Sequence, residues 1–509
     1  MVHWEALPAT VKDAIILTEK LEIQFLWVDR LCIVQDDDDS IQQNIASMAS
    51  IYINSYFTIV VAEGTDADNG LRGIEGTSGP RSYDPYYQFE DLKFCIWEEK
   101  EKRSTFHTRA WTFQERAVSR RCIVFFQKTV KWECQVEVLF EHELWNATQT
   151  KQLTVESDRD INSMMKTFMF GTGKDGFPRH NISITPWPDV LQFRKLWSGF
   201  SGRALSHQED SLRAFSAILS TFSPSFPGGF LYAIPEFIFD TAITWRHCGR
   251  VGPRVSAFPS WSWLGWEGAS EMDGWDPTAR AKLRTFSQPL ARWRKRNLKS
   301  DLVEDINNSY YKWDEFAVST IDEPPQGWKR TTSSRIEGSH YHNDSIRRKD
   351  LDHYAQYSFY QPLPIESGSS SPDNTLWDPL LSGTVQAAKM TIGEALGQSQ
   401  PVELYLYDGS GQWAGIMVTC FNDPQEYTEG DECFVIAICK ATRRRVEGQG
   451  QPYEEMSTRG EVELEDPYEF IRVLWVEWDG NIAYRRGTGR IWAKAWERQQ
   501  VREISIVLG

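Results

Sequence analysis

A chain of 509 residues has room for about three domains of ordinary size. With 41% hydrophobic and 13% aromatic residues it can fill several cores, which excludes global disorder. A net charge of −16 excludes bulk nucleic-acid binding and a standing attraction to acidic membrane surfaces.

Pro8 and Thr10 open a predicted helix, with Asp13 placed after Thr10 as a capping-box-like pair. Val11, Ile15, Leu17 and Leu21 supply its apolar face. Gln24–Val28 reads as a short strand buried on both faces. The stretch FLWVDRLCIVQDDDD then sets Asp29 and Arg30 inside an apolar run. Asp29 falls at the carboxyl end of that strand, the edge where open parallel sheets bind ligands; a structural carboxylate is the competing reading.

The run Asp36–Asp39 precedes a helix marked by Ile41, Ile45, Met48 and Tyr52. Carboxylates there meet free N–H groups and the positive end of the helix dipole, with Asp39 or Ser40 as cap and Asn54 near the end. A calcium loop starting at Asp36 would need glycine and glutamate where Ile41 and Ser47 stand. Phe57–Ala62 is a second buried strand, so strand, helix and strand form an expected βαβ unit.

Further strands are expected at Leu92–Glu98 and Cys122–Phe126. Between them Arg109, Trp111, Gln114, Glu115 and Arg116 crowd together. On a helix, Trp111 and Glu115 share one face, as do Arg109 and Arg116 two turns apart. Either this is a packing tryptophan with surface ion pairs, or it is a polar cluster that meets the Asp29 edge.

Residues 141–270 read as largely helical, with Trp261, Trp263 and Trp266 in a dense wedge better suited to a core or a seam between domains than to a ligand cage. The basic run Arg280–Lys299 reads as a solvated face or linker. From residue 376 the pattern turns β-rich and closes with a hairpin, a helix over Ile491–Gln500 and a last strand. Gly487 and Gly489 form a lone GxG between strand and helix, a weak phosphate signal.

The eight cysteines are scattered without a CxxC, and several sit in apolar runs as free buried thiols. No HExxH, P-loop or GxSxG is present, and no metal site is expected. No apolar stretch reaches membrane-spanning length and the start lacks a signal peptide, so a soluble, cytoplasmic protein is expected.

Three blocks in order carry a resemblance: FLWVDRLCIVQDD, MASIYINSYFTIVVAEG and RAWTFQERAVSRRCIVF. Together they resemble the heterokaryon-incompatibility (HET) domain, with Trp27, Asp29, Arg30, Cys32 and Gln35 in the first block and Trp111, Gln114, Glu115 and Arg116 in the third. The resemblance implies a filamentous-fungal signalling module of non-self recognition and regulated cell death. It also implies a flavodoxin-like α/β fold with a parallel sheet, similar to Toll/interleukin-receptor (TIR) domains. Implied partners are other proteins of the HET pathway or further copies of the chain; the net charge and the lack of a spanning stretch argue against membrane and nucleic acid, with DNA binding through Arg280–Lys299 the weaker alternative.

The alternative it implies is cleavage of NAD as substrate, with Asp29 and Glu115 stabilising an oxocarbenium-like state and Arg109 and Arg116 holding the pyrophosphate. Two departures stand out. The family's usual opening strand, upstream of the first helix, is missing, and Asn44 stands where many members carry a glutamate. The expected division is a HET-like α/β domain over 1–137 and a helical extension with a Trp-rich seam over 138–275. A polar linker or insertion over 276–375 and a β-rich region over 376–509 complete it.

Overall fold

The computed structural model describes residues 4–34, 36–74, 78–79, 87–89, 92–94, 104–126, 129–134, 138–141, 182, 185, 187–272, 285–306, 324, 327–333, 336–343, 363, 377–397, 400–443 and 468–509. The chain divides into two units: Met1–Ser183 with Arg203–Thr221, and Ile184–Gly202 with Phe222–Gly509. Helix α6 (Val190–Ser201) therefore belongs to the second unit, and α7 (Ser211–Phe222) to the first as far as Thr221.

The first unit opens with α1 (Ala9–Lys20). Its N-terminus is capped from outside: Asp68 Oδ1 accepts from the Ala9 N–H at 3.3 Å. The expected capping-box pair does other work. Thr10 Oγ1 accepts from the Gly70 N–H at 3.2 Å, and the fully buried Asp13 accepts from the Leu71 N–H at 2.6 Å. Gly70 has φ +73°, and a Cβ there would stand 2.8 Å from the Asp13 carboxylate, so glycine is required. The helix buries Ala14, with Ile16 and Leu17 beside it, while Leu21 is exposed.

Gln24–Val28 has no regular secondary structure and is not a strand: it joins no ladder among the described residues, and Phe25 is 81% exposed. The doubly buried strand expected there is thus corrected. The one-turn α2 (Asp29–Cys32) follows at once, which places Asp29 at a helix start rather than at a strand's end. Helix α3 (Asp38–Asn54) comes next, with Asp37 Oδ1 accepting from the Ser40 N–H at 3.2 Å. The aspartate run therefore caps a helix, through Asp37 in place of Asp39 or Ser40.

Strand β1 (Thr58–Val61) runs parallel to β4 (Arg121–Phe126), with Val60 opposite Val124. A small hairpin of β2 (Tyr87–Phe89) and β3 (Leu92–Phe94) lies between them in sequence; the rest of the strand expected to Glu98 lies outside the described residues. Two antiparallel strands, β5 (Thr129–Cys134) and β6 (Val138–Phe140), complete the sheet in the order β1-β4-β5-β6. The sheet is mixed, with one parallel pair, where an all-parallel sheet was expected. Its faces are covered differently: Val60, Ala62, Cys122, Val124 and Phe126 cluster with Phe106, while Ile59, Val61, Ile123 and Phe125 pack with Ala14 and Leu71. Between β1 and β4 lie α4 (Thr105–Thr108) and α5 (Ala110–Val118). The parallel crossover thus falls one step later along the chain than the sequence pattern indicates.

In the second unit the aromatic wedge is core. Trp197 stacks on Trp263 with ring centroids 5.3 Å apart, and Phe193 meets Phe222, Phe226 and Phe230 within 6 Å. Buried indoles need an acceptor: Trp197 donates to the Ser270 hydroxyl at 2.8 Å, and three others find carbonyls. Trp261 donates to Pro379 at 3.0 Å, Trp266 to Ser260 at 2.9 Å and Trp245 to Trp261 at 2.8 Å. Two short pairs, β7 (Phe230–Leu231) with β8 (Ile234–Pro235) and β9 (Arg246–His247) with β10 (Ser270–Glu271), flank α8 (Phe239–Ala242) in sequence.

Residues 285–306, expected within a polar linker, form strands β11 (Thr285–Pro289), β12 (Arg292–Arg296) and β13 (Val303–Asp305). In β12 exposed arginines alternate with the buried Trp293 and Lys295, so the charge masks a strand period. Lys295 bonds Glu236 at 2.6 Å and lies over the Trp377 ring. A separate hairpin joins β14 (Trp328–Ser333) to β15 (Ile336–Asn343).

The β-rich end comprises β16 (Leu381–Ala395), β17 (Glu403–Tyr407), β18 (Trp413–Thr419), β19 (Glu432–Arg443), β20 (Tyr468–Asp479), β21 (Ile482–Trp492) and β22 (Arg502–Leu508). A ladder between β19 and β16 closes β16, β17, β18, β21, β20 and β19 into an antiparallel ring. Met390, Leu404, Met417, Val435, Val473 and Ile491 belong to its core, with Trp496 from α9 (Ala493–Glu497). Gly487 and Gly489 lie inside β21: a Cβ on either would come within 3.0 Å of Met417 and closer still to a backbone carbonyl of β18. They permit close strand packing and form no phosphate turn. The expected helix Ile491–Gln500 shrinks to α9 because Ile491 and Trp492 complete β21.

Candidate functional site

The third sequence block folds as two short helices joined at Arg109. Ser104 caps α4, its backbone N–H and hydroxyl both meeting His107 Nδ1 at 3.0–3.2 Å. The chain then extends for one residue, Arg109, held by the Ala110 N–H donating to the Ala204 carbonyl at 3.0 Å and the Ala204 N–H donating to Thr108 at 2.7 Å. Thr112 Oγ1 donates back to the Phe106 and Arg109 carbonyls at 2.5 and 3.0 Å. Arg109 thus has a fixed backbone and an exposed side chain.

On α5, Glu115 is only partly accessible and meets the end of α3. Its carboxyl is hydrogen-bonded to the Tyr52 hydroxyl. Burial first, and the nearby Asp29 carboxylate second, push its pKa up to about 7, against the pull of Arg109 and the Tyr52 hydroxyl. Tyr52 is pushed far upward by its own burial and by Glu115 and Asp29, so its hydroxyl remains a donor. Trp27 meets the Tyr52 ring edge-on, with centroids 5.7 Å apart. Asp29 is exposed, and its Oδ1 accepts from the Arg30 N–H at 2.7 Å.

Four residues singled out in the sequence, Trp27, Asp29, Arg109 and Glu115, therefore meet around Tyr52. The sequence pattern marks Tyr52 only as part of a helix face, so its role was missed. A hydroxyl at the carboxyl end of an apolar stripe was the available signal.

Other candidates lie elsewhere. Arg116 is 2% exposed and forks onto Glu133 of β5 at 2.9–3.3 Å, with Lys131 on the same carboxylate at 2.7 Å. It therefore parts from Arg109 and has no exposed guanidinium for a pyrophosphate. Gln114 is buried, and its Oε1 accepts from the Ala217 N–H of α7 at 2.9 Å. Trp111 is half-buried on α5. Arg30 and the Cys32 thiol are exposed on α2, and Gln35 lies outside the described residues. Asn44 donates to the Ser40 carbonyl at 2.8 Å. Cys122 is buried in β4, which pushes its thiol up to about 12 and leaves it unreactive. Trp261 and Trp263 are buried in the second unit and Trp266 is half-buried there, so none of the three belongs to this site.

Residues 1–115 match the family described as Heterokaryon incompatibility protein (HET). The chain carries an N-terminal HET domain. No curated protein and no solved structure matches the chain. The HET match spans α1 to Glu115, so it includes Trp27, Asp29, Tyr52 and Arg109 and ends within α5. Among the described residues no helix is long and apolar enough to cross a membrane.

Proposed function

We propose that this HET domain is the signalling module of a fungal non-self-recognition protein, acting in the cytoplasm by recruiting protein partners and so triggering regulated cell death. What carries the reading is the convergence of all three sequence blocks on one polar group, Trp27 and Asp29 from the first, Tyr52 from the second, Arg109 and Glu115 from the third. A group that is half-buried, charged and tied across three helices suits a surface that responds to a partner. Cleavage of NAD is the less favoured reading. Arg116 is held by Glu133, and Asn44, hydrogen-bonded to its own helix, supplies no acid or nucleophile.

Inducing the full chain in a filamentous fungus tests this. Growth arrest is expected without a fall in cellular NAD, and Asp29→Ala or Glu115→Ala, expressed to the same level, should weaken it. A fall in NAD abolished by both substitutions would transfer the site to enzymology. Normal growth would refute the signalling role.

A further inference from the structure

The first sequence block reaches the Tyr52 cluster through a slight element. Helix α2 is a single turn, Asp29–Cys32, with none of its four residues buried. Its backbone bonds close within the turn: the Leu31 and Cys32 N–H groups donate to the Val28 carbonyl at 2.9 and 2.8 Å, and the Ile33 N–H to Asp29 at 2.9 Å. A lone helical turn is not stable in water, because fixing its dihedrals costs more than its few bonds return. Its place therefore depends on the side chains around it. Trp27, just ahead of the turn, meets Tyr52 edge-on with centroids 5.7 Å apart, and Leu26 packs on the cluster of Ala14, Leu71 and Phe125.

Asp29 works against that docking. Its carboxylate raises the pKa of both Glu115 and Tyr52, so it stands near the groups that α5 and α3 contribute. While Glu115 is protonated, Asp29 faces a neutral carboxyl and a neutral hydroxyl. Once Glu115 ionises, two carboxylates confront each other in a partly buried place, where their repulsion is weakly screened. The groups that face Glu115 are Asp29 of α2, Tyr52 of α3 and Arg109 at the joint of α4 and α5. Arg116 is turned to Glu133, and His107 of α4 to Ser104. Arg109 offsets only part of the repulsion, since burial and Asp29 together outweigh Arg109 and Tyr52 and Glu115 titrates at about 7. Of the two carboxylates, Asp29 is on the element that can give way. Glu115 lies within α5, between buried Gln114 and buried Arg116.

We propose that α2 is a proton-gated flap, held beside Tyr52 and Glu115 while Glu115 is protonated and released when Glu115 ionises, which uncovers Trp27 and Tyr52 for a partner protein. The direction follows from linkage. Moving Asp29 away weakens the hold of Glu115 on its proton, so the open form binds fewer protons than the closed one. Opening is therefore favoured as pH rises, until Glu115 is ionised in the closed form as well, above about 7. The flap is closed at pH 6 and gains its open form by pH 8. The proposal deepens the partner-recruiting reading and rests on it, with the proton as the regulator of the same site.

Hydrogen exchange of the full chain tests this, read by mass spectrometry from milliseconds to seconds at about pH 6 and pH 8 and corrected for the intrinsic pH dependence of exchange. Protection over Asp29–Ile33 should fall about tenfold between the two, which corresponds to about one unit of pKa between the closed and open forms. The buried strand β4 serves as reference and should take up no deuterium at these times at either pH. Glu115→Gln cannot ionise and should keep Asp29–Ile33 equally protected at both. Asp29→Asn, at an exposed position, removes the repulsion and should do the same. Protection indifferent to pH in the parent would overturn the proposal, as would an undiminished fall in Glu115→Gln or Asp29→Asn. So would an equal onset of exchange in β4, which would mean that the whole domain loosens. Exchange is read in vitro and growth arrest in cells. A gated segment without arrest would thus count against the signalling reading alone, and arrest with a pH-indifferent segment against the flap alone.

Discussion

Glu115 sits between opposing forces. Burial and Asp29 favour its protonated form, Arg109 and Tyr52 its charged form, and burial wins. Its folded pKa of about 7 lies above the ordinary 4.5, so between these values the folded chain binds more protons than the unfolded one. Stability must therefore fall as pH rises from 4.5 to 7 and stay reduced above that, by at most about 3 kcal/mol from this group. Glu115→Gln keeps a polar amide for Tyr52 and removes the titration. It should match the parent near pH 4 and exceed it at pH 8 by about 1–3 kcal/mol in urea unfolding. An unchanged pH slope would show that Glu115 is ionised in the folded chain at no cost. Arg116 poses the reverse case, a buried guanidinium with a buried partner. Arg116→Ala takes from buried Glu133 its forked guanidinium partner and should cost about 3–5 kcal/mol, whereas replacing both Arg116 and Glu133 by apolar residues should cost much less. Equal losses in the two variants would contradict the pairing. From sequence, Arg116 and Glu115 look alike, two charges on one short helix. What separates them is a carboxylate on β5, and no local spacing announces that contact.

At the scale of elements, legibility followed how locally each one is determined. Helix α3 is readable because its cap and its apolar steps lie within the helix itself, with Asp37 holding the Ser40 N–H and Met48 buried. Residues 24–28 mislead for the converse reason. FLWV has strand composition, but a strand requires a neighbour, and none of the described residues supplies one. Strand β12 misleads by charge, since RWRKR looks solvated until Trp293 and Lys295 are seen to alternate inward. Gly487 and Gly489 make the same point inside β21, where a motif-like GxG is a packing requirement. Adding a methyl at Gly489 would bring it 2.6 Å from the Ile416 carbonyl and 3.0 Å from Met417. Gly489→Ala should therefore lower stability by about 1–3 kcal/mol, seen as a lower urea midpoint with little change in slope. Met417→Ala added to it should recover little, because the nearer obstacle is backbone. Full recovery would place the conflict in the side chain instead.

Over the whole molecule, the sequence discloses a HET domain at one end and a β-rich region at the other, but not that the basic run between them belongs to a sheet. That difference bears on what the protein can bind. As a linker, Arg280–Lys299 would be a mobile cationic arm able to reach phosphates despite a net charge of −16. As strand β12, two of its four cations are shown with carboxylate partners: Lys295 bonds buried Glu236, and Arg296 bonds Asp378 through Nε at 2.9 Å. Arg292 and Arg294 remain exposed, on a chain whose overall field repels a polyanion. Two phosphate contacts would give a salt slope of only about −2, too little to hold duplex DNA against that repulsion. The full chain should therefore leave a labelled random duplex unshifted even at about 50 mM salt, and Arg292→Ala with Arg294→Ala should change nothing. An affinity that drops steeply between about 50 and 200 mM salt would mean that Lys295 and Arg296 exchange their carboxylates for phosphates. The pairing of β12 with β13 and β16 would then have to be reversible, and hydrogen exchange along Arg292–Arg296 would rise on adding DNA.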